Sequence, residues 1–439
     1  MVNVMTDTPN TLTVENIPVT SLKPHARNAR THSKEQIRQI ARSIETFGWT
    51  NPVLADREGG VIAGHGRLEA AKLLNLAEVP VIRIEHMSEA QKRAYRIADN
   101  RLAELAGWDH DILAIEFGEL LAMDLDFEIT DTGFETAEID LMIAGTGADE
   151  PDAAPDEPVP AIDRSVAAVT AKGDLWALGA HRLLCGNALV RADYERLMAG
   201  EQARMVFTDP PYNVPVRGHV SGLGAAVHDE FAMASGEMDE AAFIAFLETA
   251  LGEMARVSLD GALHFVCMDW RHQLELLTAG RRVYTEQKNL CVWAKTNAGM
   301  GSLYRSQHEL VLLFKKGHAP HINNVELGVH GRYRTNLWTF AGQNGLEADR
   351  GEALAIHPTV KPIAMVEEAI RDVSHHGEIV LDGFAGSGTT LLAAESTGRR
   401  AFALEIDPHY CDTILKRFRA ATGIEPVHVA SGLTFGELS

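Results

Sequence analysis

Cysteine is scarce. Four occur in 439 residues, at positions 185, 267, 291 and 411, too far apart for paired ligand spacing. That argues against structural zinc and against a disulfide scaffold, and it fits a reducing cytoplasm. No apolar run approaches the roughly 20 residues that a membrane helix needs, so no membrane partner is expected. The opening MVNVMTDTPN has neither the basic flank nor the apolar block of a secretory signal. Positive charge is also short: 40 Lys and Arg stand against 61 Asp and Glu, a net −21. Taken whole, that balance argues against a protein that grips phosphates.

The distribution of charge removes that objection. Residues 109–165 hold 17 Asp/Glu and one Arg, so most of the deficit lies in one stretch. Residues 16–108 carry 14 Lys/Arg against 10 Asp/Glu, and residues 281–335 carry nine against three. Two basic islands flank an acidic bridge, and such bridges are usually solvated and flexible.

Length and composition suggest about three domains of ordinary globular character. Residues 1–15 read as a leader and 16–108 as a small α/β unit. In it, Ser33 with Gln36 forms a capping box ahead of Ile37, Ile40, Ile44 and Phe47. A helix is expected over Arg67–Leu76, and a second capping box, Ser88 with Gln91, opens another that reaches about Leu105. Residues 109–143 read as an acidic helical extension without a clear helix-turn-helix, and 144–165 as a Pro/Ala/acid linker. Residues 166–439 alternate strands and helices, which predicts a mostly parallel sheet covered on both faces. The expected strands are His181–Cys185, Met205–Thr208, Ala262–Met268, Leu290–Ala294, Leu310–Phe314, Ile379–Asp382 and Arg400–Leu404.

Two turns carry chemistry. In EIVLDGFAGSGTT (378–390) a buried strand ends at Asp382, and the chain turns through Gly386 and Gly388 into a helix near Thr389. Glycines there admit a ligand close to the backbone, and the helix start favours an anionic group. Glu405 follows 19 residues after Gly386, a spacing that suits a ribose diol. Taken alone, such a turn is also consistent with a tight strand–helix connection. In MVFTDPPY (205–212) a strand runs into Asp209, Pro210, Pro211 and Tyr212. Two prolines fix the backbone and remove two N–H donors, leaving an acceptor-rich corner beside an aromatic face. Two acceptors holding both hydrogens of a base amine would localise its lone pair and aim it at an electrophile. A proline-stiffened strand exit is the bland alternative. Together the two turns pair a nucleoside site with an amine activator. Methyl transfer from S-adenosylmethionine to a base amine needs both. The histidines are scattered without ligand spacing, so no metal is implied.

On these motifs the segment 174–416 resembles the β group of DNA amino-methyltransferases. These enzymes share a Rossmann-like fold with a circularly permuted motif order in which DPPY precedes the glycine turn. TDPPY (208–212), HPTVKP (357–362), LDGFAGSGTT and LEIDPHY (404–410) follow one another in that order. The resemblance implies S-adenosylmethionine held by Asp382, Phe384, Gly386, Gly388, Thr389, Thr390 and Glu405. Asn187 stands where the family usually has Asp near the cofactor adenine, and Gly383 where it usually has Pro. His357, Thr359 and Lys361 match the segment that closes the cofactor pocket. Asp209, Pro210, Pro211 and Tyr212 match the catalytic motif, and Asp at its first position is more typical of adenine-N6 than of cytosine-N4 enzymes. Double-stranded DNA would be held by Arg281, Arg282, Lys288, Lys295, Arg305, Arg332 and Arg334. An insert over about 317–350 would read bases; the loop 213–236 either covers the flipped base or is a disordered surface loop. A second copy of the chain and a cognate restriction enzyme are further candidate partners.

Residues 16–108 resemble the ParB-like nuclease and partition superfamily through NPVLADREGGVIAGHGRLEAAKLL (51–74) and RIADNRL (96–102). The turn Gly64-His65-Gly66-Arg67 keeps one Gly and the last Arg of the family's Gly-Glu-Arg-Arg, and Arg67 would meet a phosphate. The rival reading is a ParB-like DNA-binding regulator with a vestigial methyltransferase half. RNA as substrate, or cytosine N4 as target, also stands open.

Overall fold

The structure, a computed structural model, describes residues 12–25, 28–105, 107–121, 123, 125–145, 162, 164–214, 236–295, 304–325, 334–340 and 360–439. The chain divides into two compact units, Met1–Gly147 and Ala148–Ser439.

The first unit is built on a four-stranded sheet. Strands β1 (Val14–Pro18), β2 (Val53–Ala55), β3 (Val61–Ala63) and β4 (Glu78–Arg83) lie in the order β1-β4-β2-β3. Only β2 and β4 run parallel. Ile17, Val19, Val53, Val61, Leu68, Val79 and Val81 form its core. The helix Lys34–Phe47 starts at Ser33, whose side chain accepts the Gln36 amide. The predicted box is only half closed, because Gln36 turns its own side chain to His32 at 3.0 Å. Ser88 and Gln91 do bond reciprocally, at 2.8 and 3.3 Å, and open the helix Glu89–Leu105. The helix expected from Arg67 runs instead over His65–Leu73, because Gly64 adopts φ 96° and lets it start two residues earlier.

The acidic stretch is more structured than a solvated bridge. Helices His110–Leu121 and Thr136–Gly145 close on one another through Phe117, Ile129 and Ile139. Asp131 is buried and accepts the Thr46 hydroxyl at 2.6 Å, so part of the negative charge is spent inside the fold. Most of 144–165 lies outside the described residues.

The second unit holds a ten-stranded sheet. Its strands are β5 (Leu175–Leu178), β6 (His181–Cys185), β7 (Ala203–Thr208), β8 (Ser258–Met268), β9 (Glu286–Lys295), β10 (His308–Lys315), β11 (Leu337–Phe340), β12 (Ile379–Asp382), β13 (Arg400–Glu405) and β14 (Val427–His428). They lie in the order β11-β9-β10-β8-β7-β12-β13-β6-β5-β14. The centre, β8-β7-β12-β13-β6, is parallel. The pairings β9/β10, β10/β8, β5/β6 and β5/β14 are antiparallel, so parallel pairing is less general than expected.

Side-chain alternation splits the apolar residues between two faces. Met205, Phe207, Val380, Ala401 and Ala403 meet the helices Ile363–Val373, Thr389–Ser396 and Pro408–Thr422. Val206, Ile379, Leu381, Phe402 and Leu404 meet Arg191–Met198, Glu240–Arg256 and Gln273–Val283. In this unit three short strands escaped the sequence reading, β5, β11 and β14; in the first unit β1 did too, so Val14 and Glu15 belong to the sheet and not to the expected leader. Strand β11 lies within the stretch expected to read bases, yet Trp338 is buried against the core. Asn324, in the same stretch, is also buried. Its side chain donates to Arg371 O at 2.8 Å and Ser374 O at 2.9 Å, closing a helix end.

Candidate active site

The carboxyl ends of the parallel strands meet at one cavity. Its wall includes Asn187, Asp209, Pro210, Pro211, Tyr212, Lys361, Phe384, Gly386, Thr389, Thr390, Glu405 and Asp407. The glycine turn and the DPPY turn therefore open into the same space, as nucleotide pockets of open α/β sheets do at strand ends.

At one end, Gly386 (φ 53°) donates its amide to Glu405 Oε2 at 2.9 Å, and the Asp407 amide donates to Oε1 at 2.9 Å. Burial dominates over these bonds and pushes the Glu405 carboxyl up to about 7. Gly388 (φ 83°) is not part of the wall. It caps the helix Thr389–Ser396 where a Cβ would meet Ile414 at 2.9 Å, so its role is the turn itself. Arg164 reaches the rim and pairs with Asp407 at 2.8 Å. The backbone just beyond it is pinned, with the Val169 and Thr170 amides on Asp412 at 2.7 and 3.0 Å.

Asp382 faces the cavity, but both its oxygens are engaged by protein. Oδ1 accepts Thr208 Oγ1 at 2.9 Å and the Phe384 amide at 3.0 Å, and Oδ2 accepts Thr390 Oγ1 at 2.7 Å. It is a staple between β7 and the glycine turn, not the free cofactor ligand expected; burial raises its carboxyl to about 6. Asn187 is likewise turned inward, its Oδ1 accepting the Leu189 amide at 2.9 Å.

At the other end stands the acceptor corner. Asp209 Oδ1 accepts the Tyr212 hydroxyl at 2.5 Å, and Oδ2 accepts the Lys361 ammonium. Lys361 was assigned to the cofactor. The structure places its ammonium with the catalytic motif instead, because a buried cation seeks carboxylates. Glu309, from β10, lies 3.1 Å from both Lys361 Nζ and the Tyr212 hydroxyl, and its second oxygen binds Lys295 at 2.5 Å. Burial alone would raise Glu309, but the two lysines hold it down at about 2. Asp209 is raised, first by burial and then by Glu309, against the pull of Lys361.

Other assigned cations are also paired within the fold. Lys295 belongs to this corner. Arg334 spans Glu368 at 2.7 Å and Asp372 at 3.2 Å, and Arg282 pairs with Glu248 at 2.9 Å. Lys288 meets Glu286 at 3.0 Å. Arg281 and Arg305 are exposed. In the first unit, Arg67 donates to the Asn51 and Pro52 carbonyls at 2.5 and 3.2 Å beside a separate polar cleft. Arg332, His357, Thr359 and the bulk of the 213–236 loop lie outside the described residues.

Sequence reading missed Glu309 and Arg164. A lone acid heading the apolar run HELVLLF was the available signal for Glu309. Arg164 lay in what read as linker. Among the described residues no group of three His, Cys, Asp or Glu could hold a metal, and no helix is long and apolar enough to cross a membrane.

The comparisons agree with this anatomy. A DNA methylase family model matches residues 203–416, a ParB N-terminal domain model residues 3–101, and a ParB-methyltransferase helix-turn-helix domain model residues 111–171. The chain thus carries an N6/N4-type DNA methyltransferase domain and a ParB-like domain on the same polypeptide. The third match overturns the expectation that no helix-turn-helix follows the ParB-like unit; its apolar positions are interleaved with acids, which hid the motif. The ParB-like nuclease domain-containing protein YnaK of Escherichia coli is 53% identical over 76 residues, 17% of this chain and 87% of that protein. Type II methyltransferase M2.DpnII of Streptococcus pneumoniae is 26% identical over 242 residues, 51% of this chain and 85% of the relative. Among solved structures, the M1.HpyAVI–SAM complex aligns at TM-score 0.40 and 20% identity over 54% of this chain and 97% of that one.

Proposed function

We propose that this chain methylates the exocyclic N6 amine of adenine in a base flipped out of double-stranded DNA, with S-adenosylmethionine as donor. The observation that carries the reading is Asp209, a carboxylate at the head of the DPPY corner, facing the cavity that the glycine turn also lines. The residues present fit the donor. Glu405 offers a buried carboxylate to a ribose diol, and Gly386 lets the ligand approach the backbone. When bound, S-adenosylmethionine supplies the methyl group, its carbon–sulfur bond breaking as the nitrogen–carbon bond forms.

The protein's part is positioning. Asp209 and the Pro210 carbonyl accept the two amine hydrogens, so the nitrogen lone pair is drawn out of conjugation with the ring and is held for attack on the methyl carbon. Asp209 is the base within reach for the proton the methylated nitrogen sheds, and its raised affinity for protons suits that task. Extruding the base costs a few kcal/mol, offset by the pocket. The assembled corner and Glu405 speak for an active enzyme over a vestigial half. Methylome sequencing of DNA from cells expressing the chain tests the reading. N6-methyladenine at a defined site supports it, N4-methylcytosine moves the target, and unmodified DNA removes it.

A further inference from the structure

Both oxygens of Asp209 are occupied by protein donors, Tyr212 on Oδ1 and Lys361 on Oδ2. Each oxygen keeps a second lone pair, but an incoming amine must share the oxygen with the donor already seated there, and the corner admits it most readily if that donor can turn elsewhere. A buried donor that loses its acceptor costs about 1–3 kcal/mol, so release requires somewhere else to go. The second acceptor is present. Glu309 Oε2 lies 3.1 Å from the Tyr212 hydroxyl and 3.1 Å from Lys361 Nζ. A hydroxyl has one proton, and the Tyr212 proton has two carboxylates within reach. Glu309 is itself fixed by Lys295 on its other oxygen, and its residue is 7% exposed, so the alternative acceptor is buried and fixed in place.

We propose that Glu309 is a positioning residue for the acceptor base: it takes over the Tyr212 hydroxyl and the Lys361 ammonium when the incoming amine claims Asp209. This rests on Asp209 being the amine acceptor. Glu309 does not touch the reacting atoms; it acts through Tyr212 and Lys361. The exchange keeps every buried donor satisfied before and after base entry, so the corner opens without a stranded polar group.

A simple ion-pair cluster tying β10 to the Lys361 segment would give the same static picture, so the test must reach beyond stability. Asp209 is faced by Tyr212 on its own turn, Lys361 ahead of the helix Ile363–Val373, Glu309 on β10, Cys267 on β8 and Asp382 at the end of β12. Among these, Glu309 disfavours ionisation of Asp209 and Lys361 favours it. Turnover needs the ionised form, so the rate falls as pH drops through the Asp209 pKa. Removing the Glu309 charge moves that acidic limb to lower pH. At the same time Lys361 and Tyr212 lose the charged acceptor to which they would turn, and the plateau rate falls.

The experiment uses the full chain, tritiated S-adenosylmethionine and amplified, methylation-free genomic DNA. Glu309→Gln is expected to lower kcat on the order of ten- to a hundredfold. Its acidic limb shifts to lower pH, and calorimetric affinity for S-adenosylmethionine stays within about twofold. Glu309→Asp, which keeps the charge on a shorter arm, retains the wild-type limb with an intermediate kcat and serves if the amide variant folds poorly. Wild-type kcat with an unshifted limb in Glu309→Gln, or equal losses of rate and cofactor affinity in both variants, overturns the role of Glu309 and leaves Asp209 in place. Full turnover by Asp209→Ala removes the underlying reading as well.

Discussion

The two ends of the cavity treat a buried glutamate in opposite ways. At the acceptor end Glu309 is held near 2 by Lys361 and Lys295. At the cofactor end Glu405 has only backbone amides and rises to about 7. Both sit at the same edge of one sheet, Glu405 at the carboxyl end of β13 and Glu309 at the amino end of the antiparallel β10, so the difference lies in the partners and not in the fold. The acceptor end has its charges paired before any ligand arrives, and under the exchange proposed above it rearranges to admit one. The cofactor end is incomplete, with a carboxylate poorly stabilised by protein and open to a ligand's hydroxyls. One end is built for exchange and the other for capture.

The largest expected effect breaks the acceptor end. Asp209→Ala should reduce methyl transfer by on the order of 10²–10³, the loss typical of removing one preorganised polar group. Calorimetric binding of S-adenosylmethionine should be nearly unchanged, and retention of more than about a tenth of the turnover would remove Asp209 from its role. Next, Glu405→Ala should weaken S-adenosylmethionine by about 1.5–3 kcal/mol, as for a hydrogen bond to a charged group. Wild-type affinity should also fall roughly tenfold per unit below about pH 7, as Glu405 takes up a proton, while Glu405→Gln stays flat.

A third expectation concerns stability without ligand. Because the folded state raises the Glu405 pKa, its contribution is present below the unfolded value near 4.5 and is lost as pH rises through about 7. Wild type should therefore lose up to about 3 kcal/mol between pH 5 and 8 from this group, and Glu405→Gln should lose correspondingly less. Urea titrations at the two pH values measure the gap; equal losses would mean that Glu405 is ordinary in the folded state. The smallest effect is at the rim. Arg164→Ala should cost S-adenosylmethionine binding under about 1 kcal/mol, since its ion pair with Asp407 is partly solvated. Residues 166–439, which lack Arg164, should bind the cofactor as weakly as that variant does. A complete loss of binding would show that the earlier residues are needed for more than this contact.

Much of the fold was legible because its strands are apolar and end on turn motifs. Strands β6 and β12 were bounded correctly, and five others to within a few residues. The short strands β5, β11 and β14 were not, since four or fewer residues carry too little periodicity. The site was legible where chemistry is local or regularly spaced: Gly386 and the DPPY corner announce themselves within a few residues, and Glu405 by its distance from the glycine turn. Glu309, Lys295 and Lys361 lie up to 152 residues from Asp209 in sequence and join its corner only in the folded sheet, Lys295 through Glu309. Lys295 and Arg334 read as DNA contacts because a basic composition cannot reveal that the neighbouring acids, Glu309, Glu368 and Asp372, already hold those charges.

Asp382 has a mechanical consequence. Through Thr208 it fixes the residue just before Asp209, and through Phe384 and Thr390 it fixes the turn on which the donor would lie. One carboxylate thus acts as the gauge block between the two reactants. Loosening it by a fraction of an ångström would leave each half-site able to bind its own ligand, yet would misalign the nitrogen with the methyl carbon. An enzyme damaged there would look healthy in every binding assay and be slow.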